Sequence, residues 1–163
     1  DTTPPVFSSA TVNGDKLVIS YTEQNSLADV AISGSGGFSV YREDYVNGAP
    51  ARIAGEFTVQ SVVVNGAAKT VTLALTERPV YHGARVTVSY SRLVSGLASG
   101  NVVQDVAGNH AANFDIMTVT NITPAPGDTT PPVFTSAAVT GNQLVISYTD
   151  TNSLNAVTLA GNA

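Results

Sequence analysis

Leu17-Val-Ile-Ser-Tyr-Thr22 is the stretch on which the fold turns. Leu17, Ile19 and Tyr21 share one side of an extended chain, and Val18 and Ser20 take the other. That period of two belongs to a β-strand with one face inward and one in water. The same six residues return as Leu144-Val-Ile-Ser-Tyr-Thr149, 127 positions later. Around them the match widens: 22 of 36 positions are identical between residues 1–36 and 128–163. The chain therefore divides into one whole module (1–122), a linker (123–127) and the truncated start of a second module (128–163). Tandem modules of this kind work through length, stiffness and valency rather than through chemistry at one site.

The alternation recurs along the first module. Val71, Leu73 and Leu75 alternate with threonines, and Val86, Val88 and Tyr90 alternate with Arg85, Thr87 and Ser89. Further strands are expected at Val6–Val12, Phe38–Arg42, Phe57–Val64 and Phe114–Thr120. The inward parity changes after Val59, which calls for a bulge near Gln60 or Ser61. Asn13-Gly14, Asn47-Gly48 and Asn65-Gly66 carry the positive-φ chemistry of tight hairpins. No stretch keeps a helical period. The expected fold is all-β, an immunoglobulin-like antiparallel β-sandwich of about seven strands. Asn25–Gly37 and Leu93–Asn113 fit no strand and are expected as loops. Four prolines between Thr123 and Pro132 make the junction a semi-rigid spacer.

Composition removes several function classes. Seven basic residues stand singly among twelve acidic ones, for a net charge of −5, so nothing here would neutralise a nucleic-acid backbone. There is no cysteine, which excludes a thiol nucleophile, a thiolate zinc site and a disulfide scaffold. No apolar run approaches the ~18 residues of a membrane-spanning helix. His82 and His110 sit beside turn residues, and no Gly-Xaa-Ser-Xaa-Gly elbow accompanies the many serines, so no enzyme activity is expected.

The opening Asp1-Thr-Thr-Pro-Pro-Val-Phe-Ser-Ser-Ala, the strand from Lys16, Lys69-Thr-Val-Thr-Leu-Ala-Leu, Gly83-Ala-Arg-Val-Thr-Val-Ser-Tyr and Val103-Gln-Asp-Val-Ala-Gly-Asn together resemble one family. It is the SWM repeat, a flagellar-system-associated repeat. The resemblance covers most of residues 1–121 and restarts at Asp128, and it departs from the pattern between Asn25 and Glu56. Similar Gln-Asp-Xaa-Ala-Gly-Asn and Asp-Thr-Thr-Xaa-Pro patterns occur in bacterial immunoglobulin-like repeats of giant surface adhesins. What the resemblance implies is an extracellular or cell-surface spacer with a role in adhesion or motility.

Two groups of residues invite a binding role. Asp105 and Asn109 flank a glycine in a loop, and each module opens on an aspartate, Asp1 or Asp128. Such hard oxygen donors suit Ca²⁺. The competing reading is that Asp105 and Asn109 only close a tight turn, as Asx residues do. Whether their loop lies beside Asp1 or at the opposite end depends on the direction of the last strand. The second group is Tyr41, Glu43, Asp44 and Tyr45, a candidate recognition patch for sugar or protein along the 25–55 edge, or an ordinary polar strand end or loop whose aromatics cover the sandwich edge. Expected partners are adjacent repeats of the same chain. The tail from Asp128 is a candidate for strand exchange with another copy, because identical elements are interchangeable.

Overall fold

The protein is represented by a computed structural model in which residues 1–46, 49–53, 57–76, 79–92 and 101–154 are described. It divides into two compact units, Asp1–Ala125 and Pro126–Ala163.

Among its described residues the first unit contains eight strands: β1 (Val6–Asn13), β2 (Lys16–Thr22), β3 (Phe38–Val46), β4 (Ala49–Ile53), β5 (Thr58–Asn65), β6 (Thr70–Thr76), β7 (Arg85–Tyr90) and β8 (Phe114–Asn121). Their hydrogen-bonded order is β4-β3-β7-β8-β1-β2-β6-β5. The continuous sheet curls into two leaves, β1-β2-β6-β5 and β4-β3-β7-β8, which is the strand order of an immunoglobulin sandwich with one added edge strand. Among the described residues all strand pairings but one are antiparallel. At their ends β1 and β8 run parallel, with Thr11 opposite Thr120 and Val12 opposite Asn121. That short pairing stitches the leaves together.

Alternation places the core between the leaves. Val12, Leu17, Ile19, Val71 and Leu73 from one leaf are fully buried against Val40, Val86, Val88, Tyr90 and Val119 from the other. Phe7, Phe114, Tyr90 and Phe38 form a chain of tilted ring contacts through the middle, with centroids 4.6 to 5.9 Å apart. The bulge falls at Gln60, where pairing with β6 slips between Val59 and Ser61. Val59 and Val62 thereby both face inward, while Val63 stays exposed.

Several expectations need correction. The polar Tyr41–Tyr45 segment is strand: β3 continues to Val46, and an eighth strand, β4, pairs with it so that Val46 stands opposite Ala49. Cross-strand partners supply the stabilisation that the polar sequence does not advertise. Asn47-Gly48 lies outside the described residues. Thr87 is buried, although its parity suggested water. On an interior strand it is flanked by Tyr41 and Thr118, whose side chains share its face.

Asn65-Gly66 is not a two-residue hairpin. Asn65 pairs with Thr70 across a four-residue connection, and Lys69, not Gly66, adopts the left-handed conformation at φ 56°. Gly66 is required for space, because a Cβ there would lie 2.1 Å from the Leu27 carbonyl oxygen. Gly14, by contrast, opens a two-residue β1–β2 turn at φ 57°, as its sequence suggested.

The second unit is a hairpin of β9 (Val133–Thr140) and β10 (Gln143–Thr149). It reproduces β1–β2 in register, with Gly141 at φ 62° in the turn. Its bulge lies at Thr135, matching the one at Ser8 in β1.

Candidate metal centre at the entry end of the module

The two ends of the first unit are built differently. At one end the departing chain is tied down: the Thr123 hydroxyl accepts from the Gly14 amide at 2.9 Å, and the Thr123 carbonyl lies 2.9 Å from His82 Nδ1. The Asn121 amide group there donates to the carbonyls of Tyr81 and Ala84. Thr123, the first residue of the expected linker, thus belongs to the module. About 26 Å away, the length of an eight-residue strand, lies the end at which the chain enters.

At the entry end the loop after β2 is zipped between two others. The Leu27 amide donates to the Gly66 carbonyl at 3.1 Å, the Ala28 amide to Gln104 at 2.8 Å, and the Val106 amide to Ser26 at 3.1 Å. Leu27 and Asp105 form an isolated antiparallel bridge. The connection between β7 and β8 therefore lies beside Asp1, which answers the question that strand direction left open.

Asp105 is fully buried there. Its Oδ1 accepts from the Asn109 backbone amide at 2.7 Å, and its Oδ2 from the Asn109 side chain at 2.8 Å. Desolvation pushes its pKa up, but bonds from the Asn109 side chain and from the Asn109, Ala107 and Gly108 amides outweigh it, so the carboxyl sits below its ordinary value. Asp105 thus closes its own loop in the Asx manner and remains an anion in a buried place.

Two further carboxylates meet it. Asp1 accepts from the Thr3 amide at 2.8 Å and from the Asn25 side chain at 3.0 Å. Glu23 accepts from the Asn25 amide through Oε1 at 3.0 Å. Glu23 is 8% exposed, and its Oε2 is buried with no hydrogen-bond partner. One oxygen from each of Asp1, Glu23 and Asp105 lies within 4.8 Å of the others. Lys69 directs its ammonium to the main-chain carbonyls of Glu23, at 2.6 Å, and Gln24, at 3.5 Å. Among the described residues none of the three carboxylates has an ion-pair partner. Asn109 also reaches the entering chain, donating to the Asp1 carbonyl at 3.2 Å.

Sequence reasoning brought Asp105, Asn109 and Asp1 forward but missed Glu23. A signal existed: position 23 stays acidic as Asp150 in the second unit, although Gln24 beside it becomes Thr151. Asp128 belongs to that second unit, where it takes the part of Asp1. It accepts from the Thr130 amide at 2.8 Å and from the Asn152 side chain at 3.1 Å, and Asp150 accepts from the Asn152 amide at 2.9 Å. The Thr130 amide and hydroxyl hold the Asp128 carboxyl below its usual pKa. The hairpin alone therefore rebuilds two-thirds of the carboxylate cluster.

The other candidate patch is internally engaged. Glu43 pairs with Arg85 and Asp44 with Arg42, each at 3.4 Å, and the Arg52 guanidinium lies 5.3 Å from the centre of the Tyr41 ring. The Tyr45 side chain lies outside the described residues. Beside the patch an open cleft between β3 and β5 is lined by Ser39, Tyr41, Phe57 and Thr58.

An eight-stranded immunoglobulin-like module followed by a copy of its own opening defines a tandem structural repeat. The chain belongs to the SWM repeat family, described as "Putative flagellar system-associated repeat", which matches residues 1–93 and 127–163. The match runs through Asn25–Glu56 and stops before Asp105, so Gln104-Asp-Val-Ala-Gly-Asn109 lies outside it. No curated protein matches the chain.

Proposed function

We propose that this chain is a non-catalytic spacer, a rod-forming repeat of a large extracellular or cell-surface bacterial protein that serves adhesion or motility, stiffened by Ca²⁺. What carries the reading is the second unit. It repeats the turn, the bulge and the aspartate–asparagine clasp of the first, on the far side of a proline-rich linker. Serial copies with short, stiff joints turn copy number into reach. Solution scattering on chains of two, three and four repeats tests it: the maximum dimension should grow by a constant step per repeat. A compact particle whose dimension ignores copy number would refute the reading.

The same proposal holds that the module hydrolyses nothing. An esterase, glycosidase or protease activity lost on replacing His82 or His110 would overturn that part. Adjacent repeats are its natural partners, and strand exchange with a second copy is the finer expectation. Supporting it, Val139, Leu144, Ile146 and Tyr148 are exposed, whereas the matching Val12, Leu17, Ile19 and Tyr21 are buried. Light scattering that finds only monomers at high concentration would rule exchange out. Recognition through Tyr41, Glu43 and Asp44 is not favoured, since their charges and ring are already engaged.

A further inference from the structure

We infer that Asp1, Glu23 and Asp105 form one calcium site per module, with Glu23 as its buried ligand, and that the ion pins the entering chain to the sandwich. The inference rests on the reading of calcium as the stiffening ion and deepens it by naming the ligands and the part that is stiffened.

Three observations carry it. First, three carboxylates converge, two of them buried, and no cation among the described residues pairs with them. Burying like charges together is unfavourable unless a counter-charge joins them. Second, Glu23 Oε2 has no partner in a side chain more than nine-tenths buried. A buried oxygen with unused lone pairs calls for a ligand, since such groups are otherwise satisfied. Third, the spacing suits calcium. Two oxygens bound to one Ca²⁺ at ~2.3–2.6 Å stand at most about 5 Å apart, whereas Mg²⁺ at ~2.1 Å allows about 4.2 Å and holds its waters more firmly. One oxygen from each carboxylate lying within 4.8 Å of the others is compatible with the wider shell, and a set of hard, partly buried carboxylate oxygens suits the ion that sheds its waters more readily.

The mechanical consequence follows from where the ligands come from. Asp1 precedes Pro4-Pro5 and β1, Glu23 ends the first hairpin, and Asp105 belongs to the connection leading into β8. An ion shared by the three joins the entering segment to both leaves of the sandwich. In the second unit Asp128 and Asp150 are already clasped in the same way by Asn152. Among the described residues of that hairpin no third carboxylate joins them.

The test is calorimetric titration of the chelator-treated 163-residue chain with CaCl₂, with MgCl₂ as the competing ion. One Ca²⁺ per chain is expected, with Kd in the ~0.1–1 mM range of extracellular modules. At saturating calcium Tm should rise by roughly 4–8 °C, and hydrogen exchange across residues 1–7 should slow. E23Q should bind at least tenfold more weakly, yet in chelator melt no lower than the parent chain, because it removes a buried charge. D1N alters an exposed side chain and should weaken binding as well. D128N should leave the affinity unchanged. No binding up to 20-fold above that Kd range, or E23Q and D1N binding as tightly as the parent, would overturn the inference. Calcium binding without stepwise lengthening of the multi-repeat chains would instead refute the spacer reading and leave the site standing.

Discussion

Tyr21 and Tyr90 are both buried in the core, yet deleting their hydroxyls should move stability in opposite directions. Tyr21 is 5% exposed, and its hydroxyl has no hydrogen-bond partner among the described residues. Y21F keeps the ring, its packing and the strand, and removes only a desolvated, unsatisfied polar atom. Such an atom costs about 1–3 kcal/mol, so a gain near the lower end, about 1 kcal/mol, is expected once slight loosening is counted. Tyr90 differs in one respect: its hydroxyl accepts from the Val103 amide at 3.3 Å, and Val103 is fully buried. Y90F orphans that amide and should cost about 1–2 kcal/mol. The two variants should then be separated by roughly 2–3 kcal/mol, or on the order of 10 °C in Tm for a domain of this size. Urea and thermal unfolding followed by far-UV circular dichroism measure the difference directly. A Y21F chain that loses as much stability as Y90F would refute the reasoning, because it would mean that the Tyr21 hydroxyl is satisfied.

The same two side chains predict an alkaline limit. Burial pushes both phenols above their ordinary pKa, opposed at Tyr90 by the Val103 hydrogen bond and by Arg92. Their contribution is complete below pH ~10, where the unfolded chain also keeps them protonated, and is lost as pH rises above it. Phenolate absorbance for these two tyrosines should therefore appear together with unfolding rather than before it. T87V should stabilise by about 1 kcal/mol, since the Thr87 hydroxyl is buried without a partner; a loss of stability in urea would contradict this. G66A should cost about 2–3 kcal/mol, because its Cβ would press on the Leu27 carbonyl and lie 3.0 Å from Asp29, whose carboxylate holds the Gly66 amide. G14A faces open space and meets only the strain of its left-handed backbone, so it should cost about 1 kcal/mol. Equal losses in the two glycine variants would count against this distinction.

The sequence by itself determined the strands whose alternation is clean, the bulge at Gln60 and the 127-residue repeat offset. Period-two burial is a local property: Leu17, Ile19 and Tyr21 share a face whatever they pack against. Tertiary structure decided three other matters. It made strand out of the polar Tyr41–Val46 segment through pairing with β7 and β4, which no local propensity announces. It assigned Gly66 to a close backbone approach rather than to a turn conformation. It also brought Glu23 to Asp1 and Asp105, because the direction of β8 puts the preceding loop at the entry end. A carboxylate cluster drawn from residues 1, 23 and 105 has no spacing that a linear motif could carry. The contacts that make it exist only once the two leaves have closed.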